Sequence, residues 1–253
     1  MTVVENSPLP RLSAGSPQPM IASQPPTDAG VFAIVAAYNE ADRIAATLAA
    51  LAAAFPGAPL WVADDGSTDG TAAIAKRSGA TVVRSDRVIG KGGAMTLAAR
   101  EALASVGDGE ARVALLCDGD LGESAAKLRP LVDTVRAGEA DLAVAVFSKR
   151  VGGGLGVAVG FARWAIKRRC GLVLDAPISG QRAMRVSLLA QTLPFAGAYG
   201  MEIGMTIDAS RAGARIGEVE LGLSHRATGK TLAGFVHRGR QLIDFLRVYA
   251  QRR

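Results

Sequence analysis

From Val31 onward, short apolar runs alternate with stretches of helical periodicity, and each run ends in acidic or turn-forming residues. This alternation narrows the fold more than any other feature. Short runs rich in Val, Leu, Ile and Ala read as buried strands, and strands interleaved with helices build βα units around a mainly parallel sheet. Strands are expected near Val31–Ala36, Leu60–Ala63, Thr81–Arg84, Arg112–Cys117, Asp141–Phe147 and Ile216–Leu221. The first helix carries Ile44, Leu48, Leu51 and Phe55 on one apolar stripe, with Asn39 as its expected cap and Glu40 and Asp42 in its positive first turn. Pro56-Gly57 is its expected stop. Ser67 or Thr68 is expected to cap a second helix running through Lys76, and a third is expected after the glycines at 90, 92 and 93. The predicted fold class is α/β: a Rossmann-like, mainly parallel sheet flanked by helices in a single domain.

Composition sets further limits. At 253 residues the chain can bury a sizeable core, and 49% hydrophobic against 21% charged residues is a globular balance. Between Ser7 and Asp28, six prolines (Pro8, Pro10, Pro17, Pro19, Pro25 and Pro26) stand among Ser, Gln and Ala without apolar periodicity. Residues 1–28 are therefore expected to form a disordered Pro-rich tail ahead of a folded domain over 29–253. A net charge of +6 favours anionic partners. Aromatic residues make up only 5%, too few for stacking platforms, which argues against nucleic acid. Cys117 and Cys170 show no metal or redox spacing and read as reduced core thiols.

Met1–Pro8 lacks the basic start and apolar stretch of a secretory signal, and the longest apolar run, Ile44–Phe55, is well short of the ~20 residues that span a bilayer. Thr231–Tyr249 has the pattern of a basic amphipathic C-terminal helix, with packing on the sheet as one reading and docking on a membrane surface as the other. The expected location is the cytoplasm, with peripheral contact at the inner face of the membrane left open.

Chemistry concentrates at two strand ends. Asp118-Gly119-Asp120 follows the apolar run Val113–Cys117 and puts two carboxylates one residue apart where a buried strand should surface. Hard divalent cations take oxygen ligands of this kind, and Mg²⁺ or Mn²⁺ held by one or two carboxylates shares its other positions with a substrate's phosphates. Helix capping explains one aspartate but hardly both. Asp64-Asp65-Gly66-Ser67-Thr68-Asp69 follows Leu60–Ala63, and within it Asp69 belongs to turn and cap chemistry.

Helix starts just beyond strand ends offer unpaired N–H groups to anions, and ligands of open parallel sheets bind at that carboxyl edge. Gly90-Lys91-Gly92-Gly93 is not a Walker A loop, because Gly follows the lysine and Ser85 stands where the first glycine belongs. Glycines around a lysine at a helix start still let backbone N–H groups and an ammonium approach a diphosphate.

Taken in order, these motifs resemble those of the family 2 glycosyltransferases and their GT-A-fold relatives, over nearly everything from Val31 to about Lys230. Val35-Ala-Ala-Tyr-Asn-Glu40 is similar to that family's opening strand and nucleotide loop, and Val62–Thr71 to its base-binding segment. Gly90-Lys91-Gly92 is similar to its glycine and lysine turn, and Asp118-Gly119-Asp120 to its metal-binding DxD. The resemblance implies a GT-A fold and transfer of a sugar from a UDP- or GDP-type nucleotide sugar to a hydroxyl or phosphate acceptor. It implies Ala37, Tyr38 and Glu40 around the nucleoside, Asp65 at the base, and Asp64, Gly90, Lys91, Gly92, Asp118, Gly119 and Arg226 as further contacts of the nucleotide sugar. Asp118, Asp120 and His225 would hold Mg²⁺ or Mn²⁺, with His237 as the competing histidine, while Glu202 and Asp120 would serve catalysis.

Ser179–Met184 is similar to the polyprenyl-phosphate sugar transferases, whereas Pro194–Gly204 followed by Leu223-Ser-His-Arg226 is similar to the glucosyl-3-phosphoglycerate synthases. The acceptor is thus left between a small phosphorylated metabolite and a lipid phosphate. The stereochemistry is left between inversion, with Glu202 as general base, and retention, with Glu202 positioning sugar or acceptor.

Two rivals use the same residues. A haloacid-dehalogenase-like phosphatase also carries DxD at an apolar strand end, but usually on its first strand and followed by Thr or Val; here Leu121 follows and three strands precede. A catalytically silent sugar-nucleotide-binding protein would share the fold without the chemistry. The acidic pair and Glu202 argue against it. Oligomeric state is not legible.

Overall fold

The structure is a computed structural model that describes residues 28, 30–106, 112–147, 157–197, 200–222 and 248–252. Its strands are β1 (Val31–Ala37), β2 (Leu60–Asp64), β3 (Thr81–Arg84), β4 (Val113–Asp118), β5 (Leu142–Phe147), β6 (Arg182–Arg185) and β7 (Ile216–Leu221). They form one seven-stranded sheet in the order β3-β2-β1-β4-β6-β5-β7. The helices are α1 (Ile44–Ala54), α2 (Thr71–Arg77), α3 (Lys91–Ser105), α4 (Arg129–Arg136), α5 (Val157–Cys170), α6 (Val186–Gln191) and α7 (Met201–Arg211), with a 3₁₀ segment over Gly122–Leu128. The α/β class holds, and all six expected strands are present.

The seventh strand, β6, was not legible as one. Arg182-Ala-Met-Arg185 is short and has a charge at each end, so it shows no strand pattern of its own. It forms because β4 and β5 flank it: β6 pairs antiparallel with both, while every other pairing in the sheet is parallel.

Period-two alternation along β1 feeds a core on each face of the sheet. Ala33, Val35 and Ala37 meet the α1 stripe of Ile44, Leu48, Leu51 and Phe55, which is buried as expected. Phe32 and Ile34 face Met95, Ala98 and Ala102 of α3 and Met205 of α7. A third cluster joins Ala162 and Ile166 of α5 to Ile203 and Ile207 of α7 and to Val248, at the start of a helical turn over 248–251.

The expected helix starts need correction. Asn39 does not cap α1, and Glu40 and Asp42 precede it; the Glu40 carbonyl instead accepts the N–H groups of Arg43 and Ile44. Asn39 takes a left-handed φ of 55°. Its N–H donates to Ser67 Oγ and its side-chain oxygen accepts from the Thr68 N–H, each at 2.9 Å. The residues expected to cap two different helices thus spend their polar groups on one another and tie the exit of β1 to the exit of β2. α2 begins only at Thr71, whose N–H donates to Asp69 Oδ1, and α3 begins at Lys91, with Gly92 and Gly93 inside its first turn.

Of the tail expected over 1–28, only Asp28 is among the described residues, and it is buried. Arg129 and Arg136 contact its carboxylate at 2.5 and 2.7 Å. Burial opposes ionisation there, but the two guanidinium groups outweigh it and hold the carboxyl below its ordinary range. Most of the C-terminal helix expected over Thr231–Tyr249 lies outside the described residues. Among those described, no helix is long and apolar enough to cross a membrane.

Candidate active site

Parallel register brings the chemistry to one edge. Ala37 stands beside Asp64 and Ala36 beside Asp118, so β1, β2 and β4 end together. Because β6 runs the other way, its beginning arrives at this same edge, next to Asp118.

At the centre lies Lys91. Its Nζ donates to Asp118 Oδ1 at 2.6 Å and to Glu202 Oε1 at 2.8 Å. The lysine side chain is 26% exposed and that of Glu202 only 9%, so these are charge-assisted bonds largely removed from solvent. Burial works against the Lys91 charge, but Asp118 and Glu202 overcome it and push its pKa upward. Glu202 sits in the first turn of α7, where the helix dipole favours negative charge.

The lysine turn is built by its neighbours. Asp65 accepts the N–H groups of Ile89 at 2.7 Å and Gly90 at 2.9 Å, and Gly90 has φ 86°. Such a φ suits glycine and few other residues. Gly92 is required for a different reason: a Cβ there would lie 1.8 Å from the Ala196 carbonyl oxygen. Gly90 and Gly92 thus shape the turn that delivers Lys91. Asp65, expected at the base, is 7% exposed and braces that turn.

Asp64 has no exposed surface; it accepts the Ser67 N–H at 2.9 Å and lies 3.3 Å from Arg84 Nε. Its carboxylate ties down the loop that follows β2. Gly119 also faces inward, its N–H on the Ala36 carbonyl and its own carbonyl on the Thr47 hydroxyl. Ala37 packs into the core, while Tyr38, the next residue, is 48% exposed.

Glu40 completes an acidic group. Its carboxyl is pushed up to about 7, first by burial, then by the charges of Asp120, Asp42 and, more weakly, Asp118. A set of carboxylate oxygens that repel one another is the donor set that a hard dication suits, so the residues present fit Mg²⁺ or Mn²⁺. Of the expected ligands, Asp118 and Asp120 fall among the described residues. Among these residues no group of three or more His, Cys, Asp or Glu could hold a metal by itself. His225, His237 and Arg226 lie outside them. Cys117 is buried behind the strand end, where desolvation raises its thiol pKa and leaves it inert. Cys170 is free and half-buried rather than a core residue.

Two residues of this site went unread as such. Gly180 lies so close that a Cβ would sit 2.6 Å from both Asp118 Oδ2 and Lys91 Nζ, and Gln181 donates to Asp118 Oδ2 at 2.8 Å. Ser179–Met184 stood out as a motif, but only the antiparallel run of β6 shows what it touches.

A mainly parallel sheet with an inserted antiparallel strand, an acidic pair at its fourth strand's tip, and a lysine shared with a glutamate from a later helix define a GT-A-type glycosyltransferase. Residues 32–168, more than half of the chain, match the model of Glycosyl transferase family 2, and the chain belongs to that family. No protein of curated function matches it.

Among solved structures it is similar to glucosyl-3-phosphoglycerate synthase from Mycobacterium tuberculosis, at 30% identity and a TM-score of 0.67 over 88% of this chain and 81% of that one. The same enzyme in complex with Mn²⁺, UDP-glucose and phosphoglyceric acid matches at 28% identity and a TM-score of 0.67, covering 88% and 80% of the two chains. Its complex with Mg²⁺ and UDP matches at 28% and 0.69, covering 88% and 79%.

Proposed function

We propose that the chain is a metal-dependent transferase that moves a glucosyl unit from UDP-glucose to a hydroxyl of a small phosphorylated acid of the phosphoglycerate type. The observation that carries this reading is the likeness, over most of the chain, to an enzyme solved with Mn²⁺, UDP-glucose and phosphoglyceric acid together. The Asp118–Lys91–Glu202 array at the strand edge supports it. Asp118 and Asp120, with His225 as third ligand, are the residues to hold Mg²⁺ or Mn²⁺. When bound, such a cation supplies Lewis-acid charge to the departing diphosphate.

Lys91 fixes both carboxylates and adds positive charge on the donor's phosphate side, and Arg226 is the second cation that the motifs assign to that charge. Tyr38 and Glu40 line the nucleoside at the open end of β1. The acceptor oxygen forms the new bond to the anomeric carbon, the bond from that carbon to the diphosphate oxygen breaks, and its electron pair leaves with UDP. Since Lys91 occupies Oε1 of Glu202, that residue orients sugar or acceptor through its other oxygen, and the acceptor proton passes to a leaving phosphate oxygen. Retention is the expected outcome. Catalysis then rests mainly on electrostatic stabilisation of the leaving group.

The test is UDP release by the purified chain with UDP-glucose, Mn²⁺ and phosphoglyceric acid, with the anomeric configuration of the product read by NMR. A polyprenyl phosphate in vesicles and GDP-sugars form the comparison arms. Turnover should require Mn²⁺ or Mg²⁺ and the phosphorylated acid, and Asp120→Ala should abolish it while remaining folded. An Asp120→Ala variant with unchanged turnover would refute the metal assignment. Turnover confined to the polyprenyl phosphate arm would refute the acceptor.

A further inference from the structure

The stretch Ser179-Gly-Gln-Arg182 has no part in the transfer as described so far, yet it runs into the centre of the site. Gln181 has no exposed surface. Its Nε2 donates to Asp118 Oδ2 at 2.8 Å, its Oε1 accepts the Ser179 hydroxyl at 3.3 Å, and its carbonyl accepts the Ala145 N–H at 3.0 Å. Among the described residues Arg182 is the largest fully buried side chain, at 1% exposure. Its guanidinium donates to the carbonyls of Ser179 at 2.8 Å and Pro177 at 3.1 Å, and to Thr206 Oγ1 at 2.9 Å. The Thr206 hydroxyl in turn donates to the Glu202 carbonyl at 2.9 Å.

A buried cation is costly unless paired, and none of the polar atoms that receive the Arg182 bonds belongs to a carboxylate. An apolar side chain of similar volume would avoid that cost but would take this donor from the Ser179 and Pro177 carbonyls. What the guanidinium adds is geometry: a planar fork of donors that holds several acceptors at fixed angles. On one side it fixes the turn that carries Gly180 and Gln181. On the other, through Thr206, it fixes the first turn of α7 that carries Glu202.

We propose that Gln181 is a positioning residue for the glycosyl transfer, holding Asp118 by Oδ2 while Lys91 holds Oδ1, and that Arg182 is the clamp that keeps Gln181 and Glu202 in register across the site. A neutral amide suits this task because it donates to the carboxylate without competing with a cation for it. The proposal rests on the reading of Asp118 and Glu202 given under the proposed function.

Two variants test it on the full chain. Gln181→Met keeps length and apolar packing but loses the donor. The Mn²⁺ concentration for half-maximal UDP release should rise or kcat should fall, by roughly 10- to 100-fold, as is usual when a partner behind a metal ligand is removed. Its acceptor KM should stay near the wild-type value. Thr206→Val removes the link from Arg182 to α7 and should lower kcat and raise acceptor KM with Mn²⁺ dependence unchanged. A merely structural role would lower the Tm of either variant without moving these constants. If Gln181→Met does not fold, Gln181→Asn, whose amide falls a methylene short of Asp118, is judged by the same constants.

Asp120→Ala, run alongside, separates the two readings. Its loss of turnover, with wild-type kcat and Mn²⁺ dependence in folded Gln181→Met and Thr206→Val, would overturn the positioning role and leave the metal site standing. Retained turnover in Asp120→Ala would overturn the site itself.

Discussion

Replacing Gly180 by alanine should slow the enzyme sharply while leaving the fold almost untouched. The new Cβ would stand 2.6 Å from both Asp118 Oδ2 and Lys91 Nζ and 3.0 Å from Asp118 Oδ1, where ordinary contact begins at 3.4 Å. Both charged ends must therefore retreat by about 0.8 Å, more than a short charge-assisted bond tolerates. The bonds put under strain are Lys91 Nζ to Asp118 Oδ1 at 2.6 Å and Gln181 Nε2 to Asp118 Oδ2 at 2.8 Å, and loss of either is the expected result. A hydrogen bond to a charged group is worth about 1.5–3 kcal/mol. If that sum is lost from the transition state, kcat falls roughly 10- to 150-fold at ~1.36 kcal/mol per decade.

The fold escapes because the atoms displaced are the ends of flexible, partly exposed side chains rather than backbone. Tm should accordingly move by no more than a few degrees, the shift that ~1 kcal/mol gives in a domain of this size. The assay is Mn²⁺-dependent UDP release beside thermal unfolding, with Gly160→Ala, which has open space around it, as the matched control. Turnover by Gly180→Ala within twofold of wild type would show that the Asp118–Lys91 geometry does not govern the rate.

Two further outcomes follow from the same geometry. Gly92→Ala should behave in the opposite way, because its Cβ would meet a backbone carbonyl at 1.8 Å. An overpacking cost of about 3 kcal/mol or more lowers Tm by roughly 6–12 °C in thermal denaturation, and an unchanged Tm would refute the close approach of α3 to Ala196. Glu40 should make stability pH-dependent. Its carboxyl rises from 4.5 to about 7 in the folded state, so its contribution is fully present below pH 4.5 and is lost as the pH climbs through about 7. Glu40→Gln removes that titration, so the variant should gain in Tm over wild type as the pH is raised from 5 to 8. Parallel curves would show that the acidic group does not press on Glu40.

The strands that carry the site could be read from their apolar runs, because a buried parallel strand needs no partner-specific signal: any segment with that composition is driven into the same layer. The same holds for the acidic pair at Asp118 and Asp120, whose position at a strand end is visible in the text of the chain. Local polar partners were harder. Asn39, Ser67 and Thr68 all have the chemistry of helix caps, and only the approach of two loops from different strands decides that they bond one another instead. Asp64 and Asp65 are adjacent and alike, yet one supports a turn beneath the sheet edge and the other braces Gly90.

What the sequence alone determined, then, was the βα architecture, the family motifs and the residues that bear charge at the carboxyl edge, since these depend on composition and period along one segment. Tertiary structure decided which of those residues meet. Lys91, Asp118, Gln181 and Glu202 come from segments far apart in the chain, and they converge because β6 enters the sheet antiparallel to β4, bringing Gln181 to Asp118, and because α3 and α7 pack on the same face. A pairing direction and a packing distance belong to no single segment, so no local pattern can encode them.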